Sequence, residues 1–300
     1  MKHFLLRQTK RLANCSFFTT YWLEYLIYAH SRDRTREPLI VYQMGKVGSS
    51  SVVDSLNHLR LDMEVFQVHV LTREWIRKVN GQYRDASKTH GRPMVDEHLL
   101  ASRYLRHMID KFPTKHRWKV ITMVRDPVAK NISAFFEAFP IYFPHEAQEL
   151  KRSNLTVADK VTLLVDLFLT RFERHDVPLT WFDTHMRPVF NIDVFSEVFN
   201  YDKGYHIYRG ENADLLLLRL EDLDRCSRQG FKEFLNVDNF VLRDRNVSAD
   251  KEYAPAYALF KKTVSLPERY VSRIYSSKLM LHFYSENERA ALLEKWAAKR

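Results

Sequence analysis

A short segment rich in glycine and serine, QMGKVGSSSV (residues 43–52), carries the residue types that hold a phosphate. Its two glycines let backbone N–H groups approach an anion closely, and the helix expected next would point its positive end at that anion. Lys46 adds a full positive charge, and the hydroxyls of Ser49, Ser50 and Ser51 add donors. The segment therefore predicts a phosphate-binding loop between a strand and a helix.

The loop does not follow the Walker A pattern of ATP- and GTP-binding proteins. In that pattern the lysine follows the second glycine directly and precedes a serine or threonine. Here Val47 follows Lys46, and the second glycine, Gly48, comes after the lysine. A nucleotide-dependent, kinase-like phosphotransferase is therefore an alternative enzyme hypothesis, and a non-catalytic nucleotide- or glycan-binding module is another.

A second candidate anion site lies in VRDPVAKNISAFF (124–136). Arg125 ends a predicted strand, and Ser133 follows eight residues later, about two turns into the next predicted helix. Both side chains can then face one phosphate, with the Arg125 guanidinium acting as a charged fork. Asp126 and Pro127 suit the cap and the first turn of that helix.

Four short apolar runs predict the strands that position these segments. The runs are LIVY (39–42), EVFQVHVL (64–71), KVITMV (119–124) and LLLLRL (215–220). Helical patterns separate them, including those over 155–175 and 178–200. Such runs are typical of strands buried on both faces. The pattern favours an α/β fold, a three-layer sandwich with a mainly parallel central sheet of about four to five strands.

The carboxyl ends of these predicted strands carry most of the polar candidates. The phosphate loop, Arg125 with Asp126, and Glu221 with Asp222 each follow one predicted strand, and His69 lies near the end of another. Ligands of open α/β sheets bind just beyond such ends, so we expect one site at that edge of the sheet.

Composition and charge narrow the partners. The chain has 300 residues, 45% of them hydrophobic, and can bury a large core without a disulfide or metal staple. Its two cysteines, Cys15 and Cys226, indicate a reducing compartment. A formal net charge of +10 favours an anionic partner, such as nucleic acid, a membrane surface, an acidic glycan or a polyphosphorylated nucleotide. No zinc-finger or RNP1 motif is present, so we expect no nucleic-acid partner.

Residues 1–37 predict an N-terminal amphipathic helical extension, ahead of one α/β domain over residues 38–300 whose C-terminal part is helical. Within the extension, residues 15–29 are aromatic and apolar but too short and too polar to span a membrane. They lack a small-residue cleavage site, which argues against a signal peptide. A helix packed on the domain and a peripheral helix at a membrane interface both fit the pattern. We expect a cytoplasmic protein, with membrane association left open.

The loop and the Arg–Ser pair together resemble the sulfotransferases that use 3′-phosphoadenosine 5′-phosphosulfate (PAPS). In the 5′-phosphosulfate loop of these enzymes, a lysine precedes a variable residue, a glycine and paired hydroxyl residues, a pattern matched here by Lys46, Gly48, Ser49 and Ser50. An arginine and a serine eight residues apart form their 3′-phosphate site, and Arg125 and Ser133 have that spacing.

This resemblance implies a P-loop-like sulfotransferase fold, PAPS as the donor, no required metal, and transfer of a sulfuryl group to a hydroxyl of a glycan or another acceptor. By the same resemblance, Lys46 contacts the bridging oxygen and supports the departing phosphate. The residues that would bind the 5′-phosphosulfate group are Lys46, Val47, Gly48, Ser49, Ser50 and Ser51.

Within the sulfotransferases, the chain resembles a bacterial group concerned with capsular polysaccharide synthesis. The resemblance is carried by the loop and by VRDPVAKNISAFF, PLTWFD (178–183), RLEDL (219–223) and HFYS (282–285). It favours a glycan acceptor without identifying one.

An acceptor hydroxyl is a poor nucleophile, so we expect a general base, and histidine suits that role at neutral pH. His69 in QVHVL resembles the Thr-His-Leu-Pro segment that carries the base in many family members. It comes only 23 residues after Lys46, closer than is usual in the family, so His98 and the carboxylates Asp96 and Glu97 are alternatives.

Two further segments leave two interpretations open. Trp181, Phe182 and Asp183 either line an acceptor cleft, where aromatic faces suit sugar rings, or pack in the core. Glu221 and Asp222 either contact the nucleotide or cap the local structure.

Overall fold

Five strands form one sheet in the computed structural model, which describes residues 17–59, 61–113, 117–172, 174–243 and 253–297. The strand order is β2-β1-β3-β5-β4, with four strands parallel and β4 antiparallel to β5. The strand bounds are β1 Glu37–Tyr42, β2 Met63–Val68, β3 Trp118–Val124, β4 Tyr205–Arg209 and β5 Ala213–Arg219. The predicted α/β fold with a mainly parallel sheet of four to five strands is confirmed.

The three interior strands explain why continuous apolar runs predicted them. Strand β5 is buried at every residue, β3 at all but one, and the last four residues of β1 are buried too. Both faces of the sheet are therefore covered at its centre. Strand β4 was not predicted, because YHIYR alternates polar and apolar residues and pairs only at the sheet edge.

Helices fill most of the intervening chain. Their bounds are α1 Phe17–His30, α2 Ser49–His58, α3 Arg73–His90, α4 Glu97–Lys111, α5 Pro127–Tyr142, α6 Pro144–Arg152, α7 Val157–Thr170, α8 Val177–Trp181, α9 Arg187–Phe190, α10 Leu223–Leu235, α11 Ala254–Thr263, α12 Glu268–Tyr275, α13 Lys278–Phe283 and α14 Glu286–Trp296. A π-helical turn, Phe182–Met186, joins α8 to α9.

The helical prediction for residues 178–200 is wrong in its second half. Helix α9 ends at Phe190, and Asn191 adopts a left-handed conformation with φ of 52°. Asparagine tolerates that conformation and often ends a helix in this way. Turns and extended backbone follow as far as β4.

The order of the strands places a topological switch point beside β1. The chain leaves β1 toward β2 on one side, while β3 pairs with β1 on the other side. In open α/β sheets, the crevice at such a switch point, beyond the carboxyl ends of the strands, is where ligands bind. The phosphate loop and Arg125 lie in the loops that follow β1 and β3.

Buried Asp126 ties the end of β3 to the C-terminal helices. Its carboxylate accepts hydrogen bonds from the backbone N–H groups of Val128 and Ala129, at 3.0 and 3.3 Å, which start α5. It also accepts from Tyr275 Oη and Trp296 Nε1, each at 2.9 Å. One side chain thus fixes the direction of α5 and anchors α12 and α14.

Glu221 and Arg219 extend this network from the end of β5. Glu221 accepts from the backbone N–H of Asp126 at 2.8 Å and from Tyr284 Oη at 2.9 Å. Buried Arg219 donates to Glu288 at 2.9 Å and pairs with Asp222. These contacts support the structural interpretation of Glu221 and Asp222 over nucleotide contact.

Helix α1 packs on α4 with one face and leaves the other in solvent. Its buried residues are Phe17, Tyr21 and Tyr28, and the Tyr28 ring lies 6.2 Å from that of Tyr104. Phe18, Trp22 and Leu26, at intervals of four residues, are exposed. In the part of the chain that the structure describes, no helix is long and apolar enough to cross a bilayer.

We predict that replacing Asp126 with asparagine destabilises the protein. The amide cannot accept from all four donors, so buried N–H and O–H groups lose their partner. We expect the free energy of unfolding to fall by about 2–3 kcal/mol. Urea unfolding followed by circular dichroism measures this change. Asp224→Asn, at an exposed carboxylate, is the matched control, and equal stability of the two variants would contradict the assignment.

Peripheral membrane contact through residues 15–29 stays a prediction, as do the cytoplasmic location and the domain boundary after residue 37. Residues 15 and 16 lie outside the described residues.

We expect the protein to float with vesicles containing phosphatidylserine. The double variant Phe18→Ser with Trp22→Ser should abolish flotation, because the exposed aromatic face inserts at the interface. Val198→Ser, at an exposed apolar residue outside α1, is the control. Unchanged flotation of the double variant would refute the contact.

Candidate functional site

The predicted phosphate loop forms the turn between β1 and α2. Lys46 and Gly48 both adopt positive φ, at 72° and 85°, a backbone form in which successive N–H groups point toward one side. Helix α2 starts at Ser49, and its N-cap residue is Gly48, which has no side chain to occupy the first N–H groups. These groups can receive an anion.

Side-chain packing holds this loop in place. A Cβ atom on Gly48 would overlap Leu220, so the glycine is required both by its φ angle and by this close approach. The Val47 side chain is fully buried, so only its backbone can contact a ligand. Buried Ser49 accepts from Gln67 Nε2 at 2.8 Å, whereas Ser50 is exposed.

Lys46 reaches across the crevice to α5. Its Nζ atom lies 3.5 Å from Glu137 Oε2, an oxygen that also accepts from Tyr253 Oη at 2.6 Å. Both members of the ion pair are partly exposed, so the pair is weak and Lys46 can leave it at little cost.

The two predicted anion-binding segments meet in the structure. Arg125 Nη1 donates to the backbone oxygen of Lys46 at 2.8 Å, which joins the end of β3 to the loop after β1. Ser133 is buried on α5, four residues before Glu137 and therefore on the same face of the helix. Arg125 and Lys46 are thus in contact, and Ser133 lies one helical turn before the residue that Lys46 reaches on α5.

The two histidines considered as the base are neighbours. His69 lies beside the phosphate loop, because a Cβ atom on Gly45 would stand 3.9 Å from His69 Cε1. The His69 and His98 rings are 4.9 Å apart between centroids. His98 Nδ1 lies 2.9 Å from the backbone oxygen of Gln67, which orients that ring from β2.

Burial, and then the charge of His98, lowers the pKa of His69 to about 4. The imidazole is therefore neutral at pH 7 and able to accept a proton. Its Nδ1 atom lies 3.1 Å from the backbone oxygen of Gln43. In the tautomer with the proton on Nδ1, His69 donates to that oxygen and Nε2 is the accepting nitrogen. In the other tautomer, Nδ1 accepts from Gln43 Nε2, which lies 3.2 Å away.

The carboxylate alternatives are less well placed. Asp96 accepts from the backbone N–H of Leu99 at 3.2 Å and caps α4, while Glu97 is exposed in the first turn of that helix. Asp96 is close enough to His69 to raise the pKa of the imidazole, but burial lowers that pKa by more. The cap role accounts for Asp96 without a catalytic function.

The aromatic pair proposed for an acceptor cleft lies in the core. Trp181 and Phe182 are buried, and the Trp181 ring packs against Tyr42 at a centroid distance of 4.9 Å. Only Asp183 of that segment is exposed, 3.9 Å from Lys278 Nζ. The core interpretation is therefore the one that the structure supports.

Sequence reasoning did not single out two groups near the crevice. Lys130, on α5, is only 4% exposed, and the available signal was a lone charge within an otherwise apolar helical face. His185, in the π-helical turn, is buried, and its ring contacts those of Trp75 and Trp181. Burial, and then Arg174, lowers the pKa of His185 to about 4.

Comparison with known proteins adds a family match over part of the chain. A family model described as "Putative capsular polysaccharide synthesis protein" matches residues 154–285, which is less than half of the 300 residues. The matched region contains β4 and β5, while the phosphate loop, His69 and Arg125 precede it. No curated protein and no solved structure matches the chain. Over residues 154–285 the chain is thus similar to capsular polysaccharide synthesis proteins, which suggests a role connected with glycans.

Proposed function

We propose that this protein is a PAPS-dependent sulfotransferase, with a P-loop-like sulfotransferase fold, that transfers a sulfuryl group to a hydroxyl of a glycan. The observation that carries the proposal is the 2.8 Å hydrogen bond from Arg125 to the backbone of Lys46. It joins a loop suited to a 5′-phosphosulfate to an arginine suited to a 3′-phosphate. A donor with an anionic group at each end fits such a paired site.

The donor's 5′-phosphate would lie on the backbone N–H groups of residues 47–51 and the positive end of α2. Its 3′-phosphate would contact Arg125 and Ser133. Lys46 would leave Glu137 and move to the oxygen that bridges phosphorus and sulfur. There its charge stabilises the negative charge that develops as the bridging bond breaks.

In the transfer step, the acceptor oxygen forms a bond to sulfur while the bond from sulfur to the bridging oxygen breaks. The acceptor proton passes to His69 Nε2, and adenosine 3′,5′-bisphosphate (PAP) departs. A neutral imidazole is the form that accepts a proton. The negative charge of a bound donor beside His69 would favour the protonated ring and so raise its pKa in the complex.

Two observations support a glycan acceptor. The matched family over residues 154–285 concerns capsular polysaccharide synthesis, and the net charge of +10 suits an anionic polymer.

Label transfer tests the proposed function directly. The protein is incubated with [³⁵S]PAPS and a panel of polysaccharides and small sugars, once with EDTA and once with Mg²⁺. We expect ³⁵S on a glycan in both conditions. Transfer of ³²P from ATP that requires Mg²⁺ would instead establish the kinase-like alternative. PAP binding without transfer to any acceptor would establish a non-catalytic module.

We predict that Lys46→Ala lowers kcat far more than it weakens PAP binding. PAP has lost the sulfonate, so its affinity does not include the leaving-group contact. The loss in kcat should be on the order of 10²-fold, as for other groups that stabilise developing charge. Lys203→Ala, which removes an exposed pair with Glu233, is the control. An unchanged kcat would remove Lys46 from the mechanism.

Arg125→Ala should erase the preference for PAP over AMP, because Arg125 is assigned to the 3′-phosphate that AMP lacks. Calorimetric titration of both nucleotides measures the preference. Arg187→Ala, at an exposed arginine paired with Asp193, should leave it intact. A variant at Arg125 that kept the full preference would overturn the assignment.

His69→Ala should depress kcat and leave PAP affinity nearly intact, because the base touches the acceptor. For the wild type, kcat/KM for PAPS reports the free enzyme, so the loss of activity caused by protonation of His69 should begin only as pH drops toward about 4. His98→Ala is the matched variant. A larger loss of kcat in His98→Ala than in His69→Ala would assign the base to His98.

A further inference from the structure

Lys130 is a buried lysine that has no counter-ion among the residues that the structure describes. It lies in the second turn of α5, four residues after Asp126, and is 4% exposed. Among the described residues, no hydrogen bond or ion pair to its ammonium group is found. Burying an ammonium is costly unless a partner compensates the lost hydration, so lysine is almost never fully buried unpaired.

The charges that act on Lys130 are positive. Burial, and then the charges of Arg174 and Arg125, lowers its pKa to about 7. His175 is also nearby, because the charge of Lys130 contributes to lowering the pKa of His175. Asp176, next in sequence, pairs with Arg273. The protein thus gathers cations around Lys130 and directs the nearby carboxylate elsewhere.

The Asp126 carboxylate does not fill the role of counter-ion either. It is directed at the N–H groups of Val128 and Ala129 and at Tyr275 and Trp296. Lys130 contacts Asp126 only through the backbone hydrogen bond of the helix, at 2.9 Å. An external anion would therefore compensate the charge of Lys130.

The position of Lys130 indicates which anion that would be. It lies five residues after Arg125 and three before Ser133, so it shares the start of α5 with both. Arg174, the other cation of the group, also acts on His69 and His185. The charge of Arg174 thus acts on Lys130 as well as on His69.

We propose that Lys130, together with Arg125 and Arg174, binds a tetrahedral oxyanion of the donor nucleotide, and that this binding takes up a proton on Lys130. The oxyanion is either the 3′-phosphate or the transferred sulfonate. This inference rests on the proposed function. It assigns a third cation to the donor and couples nucleotide affinity to pH.

The direction of the coupling follows from the charge. Below about pH 7 the lysine is already protonated and an anion binds without proton uptake. Above that pH the free protein must gain a proton to bind, so affinity falls as pH rises. An arginine at position 130 stays charged throughout and removes this part of the pH dependence.

The test is calorimetric titration of wild type, Lys130→Met and Lys130→Arg with PAP, AMP and adenosine 5′-phosphosulfate. Titrations at pH 6.0 and 8.5, in two buffers of different ionisation enthalpy, give the affinity and the number of protons taken up. The protonation of the free nucleotides is the same in all three experiments, so any difference in proton uptake between the variants comes from residue 130. For Lys130→Met we expect about 10- to 100-fold weaker binding at pH 6.0, the cost of one charge-assisted hydrogen bond.

The nucleotides distinguish the two oxyanions. A loss for PAP that exceeds the loss for AMP assigns Lys130 to the 3′-phosphate. A loss for adenosine 5′-phosphosulfate that exceeds the loss for AMP assigns it to the sulfonate. If wild type and Lys130→Met bound each of the three nucleotides with equal affinity, the proposal would be wrong. The proposed function would still stand if sulfuryl transfer from PAPS were observed.

Two further outcomes separate this inference from the proposed function. If PAP does not bind but inorganic sulfate raises the melting temperature of wild type and not of Lys130→Met, the oxyanion pocket stands and the sulfotransferase function fails. If Lys130→Met does not fold, Lys130→Arg decides. Loss of proton uptake in Lys130→Arg supports the proposal, and full retention of proton uptake contradicts it.

Discussion

The carboxylate of Asp126 is the contact on which the site depends. Parallel strands bring their carboxyl ends to one edge, but they do not fix where the following helices point. Asp126 does so by accepting the first N–H groups of α5, and the same oxygens accept from Tyr275 and Trp296 near the end of the chain. The directions of Arg125 and Ser133 follow from that start of α5. A single buried carboxylate thus fixes the start of α5 beside the phosphate loop.

Much of the fold could be predicted because its signals are local. Continuous apolar runs identified the interior strands, and the glycines and Lys46 identified the loop. Strand β4 could not be predicted, since its burial is set by pairing with β5 at a sheet edge. The end of α9 depends on a left-handed Asn191, for which the apolar pattern of 178–200 gives no sign.

The site was predicted in its anion-binding part and less well in its proton-transfer part. Lys46 and Arg125 meet as expected from the ends of their strands, through a hydrogen bond from the Arg125 side chain to the backbone oxygen of Lys46. The proximity of His69 and His98 arises from the packing of α4 against β2, a tertiary contact between residues far apart in sequence. Burial lowers the pKa of His69 and that of Lys130, and nearby arginines lower the pKa of Lys130 further. Both effects are properties of the folded chain and not of the local sequence.

A crystal structure of the protein with PAP would test the central claim most directly. The account predicts the 5′-phosphate on the backbone N–H groups of residues 47–51, and the 3′-phosphate within hydrogen-bond distance, about 3 Å, of Arg125 and Ser133. Lys46 should have left Glu137 and turned into the crevice. A nucleotide bound away from the carboxyl ends of β1 and β3, or one whose 3′-phosphate points into solvent, would contradict the account.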